Sequence, residues 1–173
     1  MNEIKTCGMI GIDKKEFPWR YSNKNNSRHQ KYLSEMSSRL NDLIRNENVK
    51  HFICGADDGA NRDFANIVIG LKHNTYKDIT LEIVIPFRDM PKYDPEYRAK
   101  PVTNIVAQAD SVKYIINNSS APDVIDRNLH IAYKSDLLVI FLNERKKRSA
   151  TFNTYAFLKN LDKPLELFTL NDY

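Results

Sequence analysis

The chain has 173 residues, 42% of them hydrophobic and 28% charged, which suits one domain, 1–173, with an ordinary core and argues against disorder. Lys and Arg number 26 against 22 Asp and Glu, a net charge of +4 that permits contact with nucleic acid or polyphosphate without demanding it. No apolar run approaches the roughly 18 residues of a membrane span. The start, MNEIKTCGMIGID, lacks the basic opening and apolar core of a secretory signal, so a cytoplasmic protein with no membrane partner is expected.

The elements alternate along the chain. Ile4 to Ile10 reads as a strand, followed by a helix from Arg28 to Arg45. Ser27 and Gln30 read as that helix's capping box, and Tyr32, Leu33, Met36, Leu40, Leu43 and Ile44 as its apolar stripe. A second strand, Lys50 to Cys54, leads into a helix from Ala60 to Leu71 with Phe64, Ile67, Val68 and Leu71 on one face. The third strand is Thr80 to Pro86. The helix after Pro95 carries Tyr97, Val102, Ile105 and Val106, with Pro101 interrupting its early part. Ser111 to Ile116 is the fourth strand, and Pro122 suits the first turn of a helix reaching Lys134. Asp136 to Leu142 is the fifth. A last helix begins near Thr151 and ends before Pro164, ahead of a sixth strand from Leu165 to Phe168.

Six strands with five intervening helices imply an α/β three-layer sandwich around a mostly parallel sheet, because such crossovers are right-handed. Ligands of such sheets bind beyond the carboxyl ends of the strands. That rule nominates five loops: Cys7 to Asp13, Gly55 to Asn61, Phe87 to Tyr93, Asn117 to Asp126 and Asn143 to Asn153.

The second loop lies within VKHFICGADDGANRDFAN, where a strand turns into a helix through Gly55 and Gly59. Helix starts of this kind bind anions, but the spacing is neither G-x-G-x-x-G nor a P-loop. Asp57 and Asp58 repel phosphate and suit ribose hydroxyls or a cation, while a plain tight turn accounts equally for the glycines. Phe87 could stack on a base and Arg88 clamp a phosphate, or the pair could be a buried ring and a solvated cation. Arg127 and Asn128 sit on a helix beside the expected cleft. Thr151, Asn153 and Thr154 suit both a helix cap and an anion site. Glu144, past the fifth strand, joins Asp57 and Asp58 as a catalytic carboxylate candidate. Arg145 to Arg148 is a basic run at the cleft rim. Cys7 and Cys54 are expected to be buried and reduced, and His29, His51, His73 and His130 show no metal-ligand spacing.

Taken in order, several segments are familiar. They are Gly8 with the later Phe17-Pro18-Trp19, the turn HFICGADDGANRDFA, the strand ending IPF, and AQADSV. After these come Arg127-Asn128, Ser135-Asp136-Leu137-Leu138 and Thr151-x-Asn153-Thr154. The chain thereby resembles the SLOG superfamily of Rossmann-like proteins, related to DprA and the LOG phosphoribohydrolases, and within it the stand-alone YpsA-like branch. The resemblance implies a Rossmann-like fold and a nucleotide-type ligand. Its ligand loops map to Gly8, to Gly55, Ala56, Asp58, Gly59 and Asn61, to Arg127-Asn128, and to Thr151, Asn153 and Thr154. The family's Gly-Gly-Thr turn before the last helix is here Ser149-Ala150-Thr151, and the LOG motif PGGxGTxxE is absent.

Three functions follow as expectations. The first is binding of an ADP-ribose, NAD or nucleoside phosphate ligand, as a sensor or sequestering protein, with Arg127 or Arg88 as the cationic clamp. The second is cleavage of an N-glycosidic bond by Glu144, Asp57 or Asp58. The third is DprA-like nucleic-acid binding through Arg145 to Arg148. No certain cofactor and no metal are expected, and exposed helix faces leave a homo-oligomer open.

Overall fold

The computed structural model describes Glu3 and residues 5–116 and 123–173. Ile4, Pro122 and the first part of the fourth nominated loop lie outside these residues. The strands are β1 (Lys5–Gly11), β2 (Val49–Cys54), β3 (Thr80–Phe87), β4 (Ser111–Ile116), β5 (Leu137–Leu142) and β6 (Leu165–Thr169). The helices are α1 (Ser27–Asn46), α2 (Ala60–Asn74), the short α3 (Met90–Tyr93), α4 (Lys100–Gln108), α5 (Val124–Lys134) and α6 (Ala150–Leu158). The strands form one sheet in the order β4-β3-β2-β1-β5-β6, and every pairing is parallel.

Side-chain alternation along the strands builds the two faces. Leu137, Val139 and Phe141 join Cys7, Met9, Phe52 and Ile83 in the core beneath α1, α2 and α4. Leu138, Ile140 and Leu142 join Ile10, Ile53 and Val84 beneath α5 and α6. All six residues of β5 are buried, as expected of a strand covered on both sides. No helix of the described residues is long and apolar enough to cross a membrane.

Local chemistry shifts some boundaries. Asn26, not Ser27, caps α1: its Oδ1 accepts from Arg28 N and His29 N, while Gln30 Nε2 donates to Lys24 O at 2.8 Å. Pro101 occupies the first turn of α4 rather than interrupting a helix, since a short 3-10 turn, Pro95–Arg98, precedes it and breaks at Ala99. Ser149 caps α6 through Phe152 N at 3.1 Å, taking the role expected of the Thr151 to Thr154 segment.

The connection from β1 to α1 is held down by rings. Phe17 and Trp19 pack against Tyr32, and Trp19 Nε1 donates to His29 Nδ1 at 3.2 Å. That bond needs a neutral imidazole. Burial and the neighbouring Lys24 cation push His29 down to about 4. Nearby, Asp63 accepts from the hydroxyls of Tyr21 at 2.8 Å and Tyr32 at 3.2 Å, and burial pushes it up to about 6.

The two shifts act in opposite directions with pH. His29 withdraws stability as pH falls from about 6.5 towards 4, because only the unfolded chain takes up the proton readily. Asp63 adds stability over nearly the same interval, because its folded form gains the proton first. Asp63→Asn should therefore compare best with the parent protein near pH 7 and lose ground as pH falls to 4.5. Urea titrations at the two pH values check this, and a pH-independent difference contradicts it.

Candidate functional site

The chain runs outward from β1 to β4 and then returns through α5 to place β5 on the other side of β1. The strand order reverses between β1 and β5, where Gly11 lies opposite Phe141 at the carboxyl ends. A cleft of about 190 Å³ opens nearby, lined by Gly11, Asp13, Glu16, Asp57, Met90, Asp94, Glu96, Tyr97, Val124, Ala150 and Thr151. Each of the five nominated loops contributes at least one of these residues. The position is the one that open α/β sheets use for ligands.

The floor of the cleft is a polar network. Arg127, wholly buried, projects from α5, and its Nη1 donates to Asp57 Oδ1. Its other nitrogens donate to Asn128 Oδ1 at 3.0 and 3.3 Å, and Asn128 Nδ2 reaches Thr154 Oγ1 at 3.3 Å. Asn61 Nδ2 donates to both Asp57 oxygens at 3.1 Å. Burial alone would lower the Arg127 pKa, but the Asp57 carboxylate and the Tyr97 hydroxyl outweigh it and hold the guanidinium charged. Gly55 leaves room for this pairing, because a Cβ there would lie 2.7 Å from Arg127 Nη1. The network fixes the carboxylate of Asp57, 15% exposed, at the cleft wall.

The walls are acidic. Burial and the carboxylates of Asp13 and Asp57 raise the Glu16 pKa, and burial with Asp57 and Asp58 raises that of Glu96. Groups held this way retain protons more readily than a solvated carboxylate. Among the described residues no group of His, Cys, Asp and Glu is arranged to hold a metal ion. At the opposite wall Ser149 absorbs the N–H groups of Phe152 and Asn153, and α6 begins with Ala150 and Thr151 facing the cleft. Thr151 Oγ1 ties this start to Gly11 O at 3.0 Å. One wall thus offers hydrogen-bond acceptors, and the other offers the positive end of a helix.

A family model described as the YspA SLOG family matches residues 16–172, almost the whole chain. The chain belongs to this SLOG family. No curated protein matches it. Membership is consistent with a nucleotide-related function and accords with the sheet and the position of the cleft.

Within this SLOG protein the anticipated residues fall into separate places. Thr151 and Asp57 line the cleft. Asn61, Arg127, Asn128 and Thr154 lie behind it as the network that orients Asp57, so Arg127 is no phosphate clamp: its guanidinium is buried and already paired. Gly8 is mid-strand, where a Cβ would lie 2.1 Å from Ser135 Oγ, so its role is close packing under α5. Ala56 is wholly buried in the core.

Asp58 points away from the cleft. Its Oδ2 accepts from Lys14 Nζ at 2.6 Å, and Arg62 Nη1 lies 2.8 Å from Oδ1 as an ion pair too poorly aligned for a hydrogen bond. Gly59 joins loops rather than meeting a ligand: Ala60 N donates to Ile12 O at 3.0 Å, so the protein's own backbone takes the first donor of α2. Arg88 stacks over Tyr114 at 4.7 Å, and Phe87 packs on Tyr93 at 5.7 Å. Asn153 and Glu144 are exposed outside the cleft lining. Cys7 and Cys54 are buried and free, and burial raises both thiols, which leaves them unreactive.

Sequence reasoning missed Glu16, Asp94, Glu96 and Tyr97. The signal available was Asp94-Pro95-Glu96-Tyr97, a turn-forming segment just past the third nominated loop.

Proposed function

We propose that this protein binds a nucleotide-derived small molecule, of ADP-ribose, NAD or nucleoside phosphate type, with its ribose in the strand-end cleft, as a sensor or sequestering protein. The observation that carries the reading is the pairing of an oriented carboxylate, Asp57, with the start of α6 across one cleft. Asp57 accepts the ribose hydroxyls, and the phosphate lies at Ala150 and Thr151 with the basic run Arg145 to Arg148 at the rim. A sugar between them satisfies both walls without bringing phosphate against the carboxylates.

Calorimetric titration with AMP, ADP-ribose and NAD tests this. Hydrogen bonds to a charged group contribute about 1.5–3 kcal/mol, so Asp57→Asn should weaken these ligands by roughly 10–100-fold. Analogues lacking the ribose hydroxyls should bind the parent and the variant equally. No binding of any of the three to the folded parent, or an equal loss for the analogues, contradicts the reading.

Glu16, in the same cleft as Asp57 and with its pKa raised by burial, favours a second reading, N-glycosidic bond cleavage. Glu16 would serve as general acid beside the ion-paired Asp57, since Glu96 is already held by Arg62 Nη2 at 3.0 Å and by Asp58 N at 2.6 Å. Release of free base from a nucleotide panel, lost in Glu16→Gln, would support it, and release unchanged in that variant would contradict it.

A further inference from the structure

A second and larger groove, about 1000 Å³, lies on the other side of the Asp57-Asp58 turn. It runs between the segment after β1 and the outer face of α2. Its walls carry five cations, Lys14, Lys15, Arg20, Lys24 and Arg62, against two carboxylates, Asp58 and Asp63. Asp58 is committed to Lys14 and Arg62, Arg62 also pairs with Glu96 at 3.0 Å, and Asp63 accepts from the hydroxyls of Tyr21 and Tyr32. Lys15 and Arg20 are exposed and have no ion-pair partner among the described residues. Apolar surface lies between the charges, from Trp19 and Leu33 on one side and Ile67 and Pro101 on the other.

We propose that this groove is a second binding site, distinct from the strand-end cleft, for a small phosphorylated molecule with an apolar or aromatic part. Lys15, Arg20 and Lys24, the lining cations without an ion-pair partner among the described residues, match the multiple charges of phosphate groups better than the single charge of a carboxylate. Arginine forks suit phosphate oxygens in pairs, and lysines add point charge. The groove is of the size that encloses a small molecule. The cleft is lined by Asp13, Glu16, Asp57, Asp94 and Glu96, whereas in the groove Asp58 is ion-paired and Asp63 is hydrogen-bonded to two tyrosine hydroxyls. Adjacent residues thus serve opposite chemistries, with Asp57 facing the acidic cleft and Asp58 holding the basic groove.

Inorganic tripolyphosphate, ADP and a single-stranded thirty-mer of deoxythymidine serve as probes, read by calorimetry on the full chain. Tripolyphosphate and ADP should bind the parent protein, and Lys15→Glu combined with Arg20→Glu should weaken both at least tenfold, ADP being read in an Asp57→Asn background where the cleft's own nucleotide affinity is reduced. Asp57→Asn should leave tripolyphosphate binding unchanged, which separates this site from the cleft. Both substituted residues are exposed, and an unchanged melting temperature in the charge-reversed protein confirms its fold. Equal affinity in that variant, failure of both small probes on the parent, or binding of the thirty-mer alone overturns the proposal.

Discussion

Arg127→Ala should destabilise the protein by about 3–5 kcal/mol, lowering its melting temperature by roughly 10 °C. Arg127 is wholly buried and its guanidinium joins Asp57 to Asn128, so truncation removes the partner of a largely buried carboxylate and opens a cavity. The cost comes mainly from the stranded charge. Asp57→Asn should therefore rescue part of it: Arg127→Met combined with Asp57→Asn should cost much less than Arg127→Met in the parent. Urea denaturation of the four proteins in a double-mutant cycle measures the coupling. Additive losses would show that the pair is not the structural centre of the cleft.

Gly59→Ala is the other change with a large expected effect. Gly59 holds φ at +117°, which an L side chain rarely adopts, and a Cβ there would sit 2.4 Å from Ile12 O and 2.7 Å from Lys14 N. Both neighbours are backbone, so the loops after β1 and β2 must part. Conformational strain and overlap together should cost about 2–4 kcal/mol. The same separation would break the Ala60 N to Ile12 O bond and shift Asp13 relative to Asp57. Stability and cleft binding should fall together. Gly70→Ala, where a Cβ meets nothing within 4 Å, is the control and should be neutral or stabilising in mid-helix. A Gly59→Ala protein as stable as the parent would contradict the account of this turn.

The sheet was legible because periodicity and β-branched runs report burial directly. β4 and the start of α2 agree with the sequence reading to the residue, and the other strands differ by a residue at one or both ends. The loops were legible through a general rule of parallel sheets, and each reached the cleft. Side-chain direction was not. Asp57 and Asp58 are neighbours in a turn, where no period says which faces the ligand, and they point to opposite grooves.

Arg127 was readable in principle. It precedes Ile131 by four residues as Asn128 precedes Ala132, so both polar residues stand on the buried face of α5. A charged residue at such a spacing signals a buried partner rather than a ligand clamp. The cap of α6 was misplaced because Ser149 and Thr151 are both competent caps, and only the three-dimensional path gives Thr151 to Gly11. Glu96 enters the cleft through a 3-10 turn too short to leave a periodic trace.

A crystal structure of the protein soaked with ADP-ribose tests the central claim most directly. The account predicts a ribose with its hydroxyls within hydrogen-bond distance of Asp57 and a phosphate at the Ala150 and Thr151 N–H groups. A ligand bound with its phosphates against Asp57 and Glu96, or a fully occupied ligand elsewhere with the cleft empty, would contradict it.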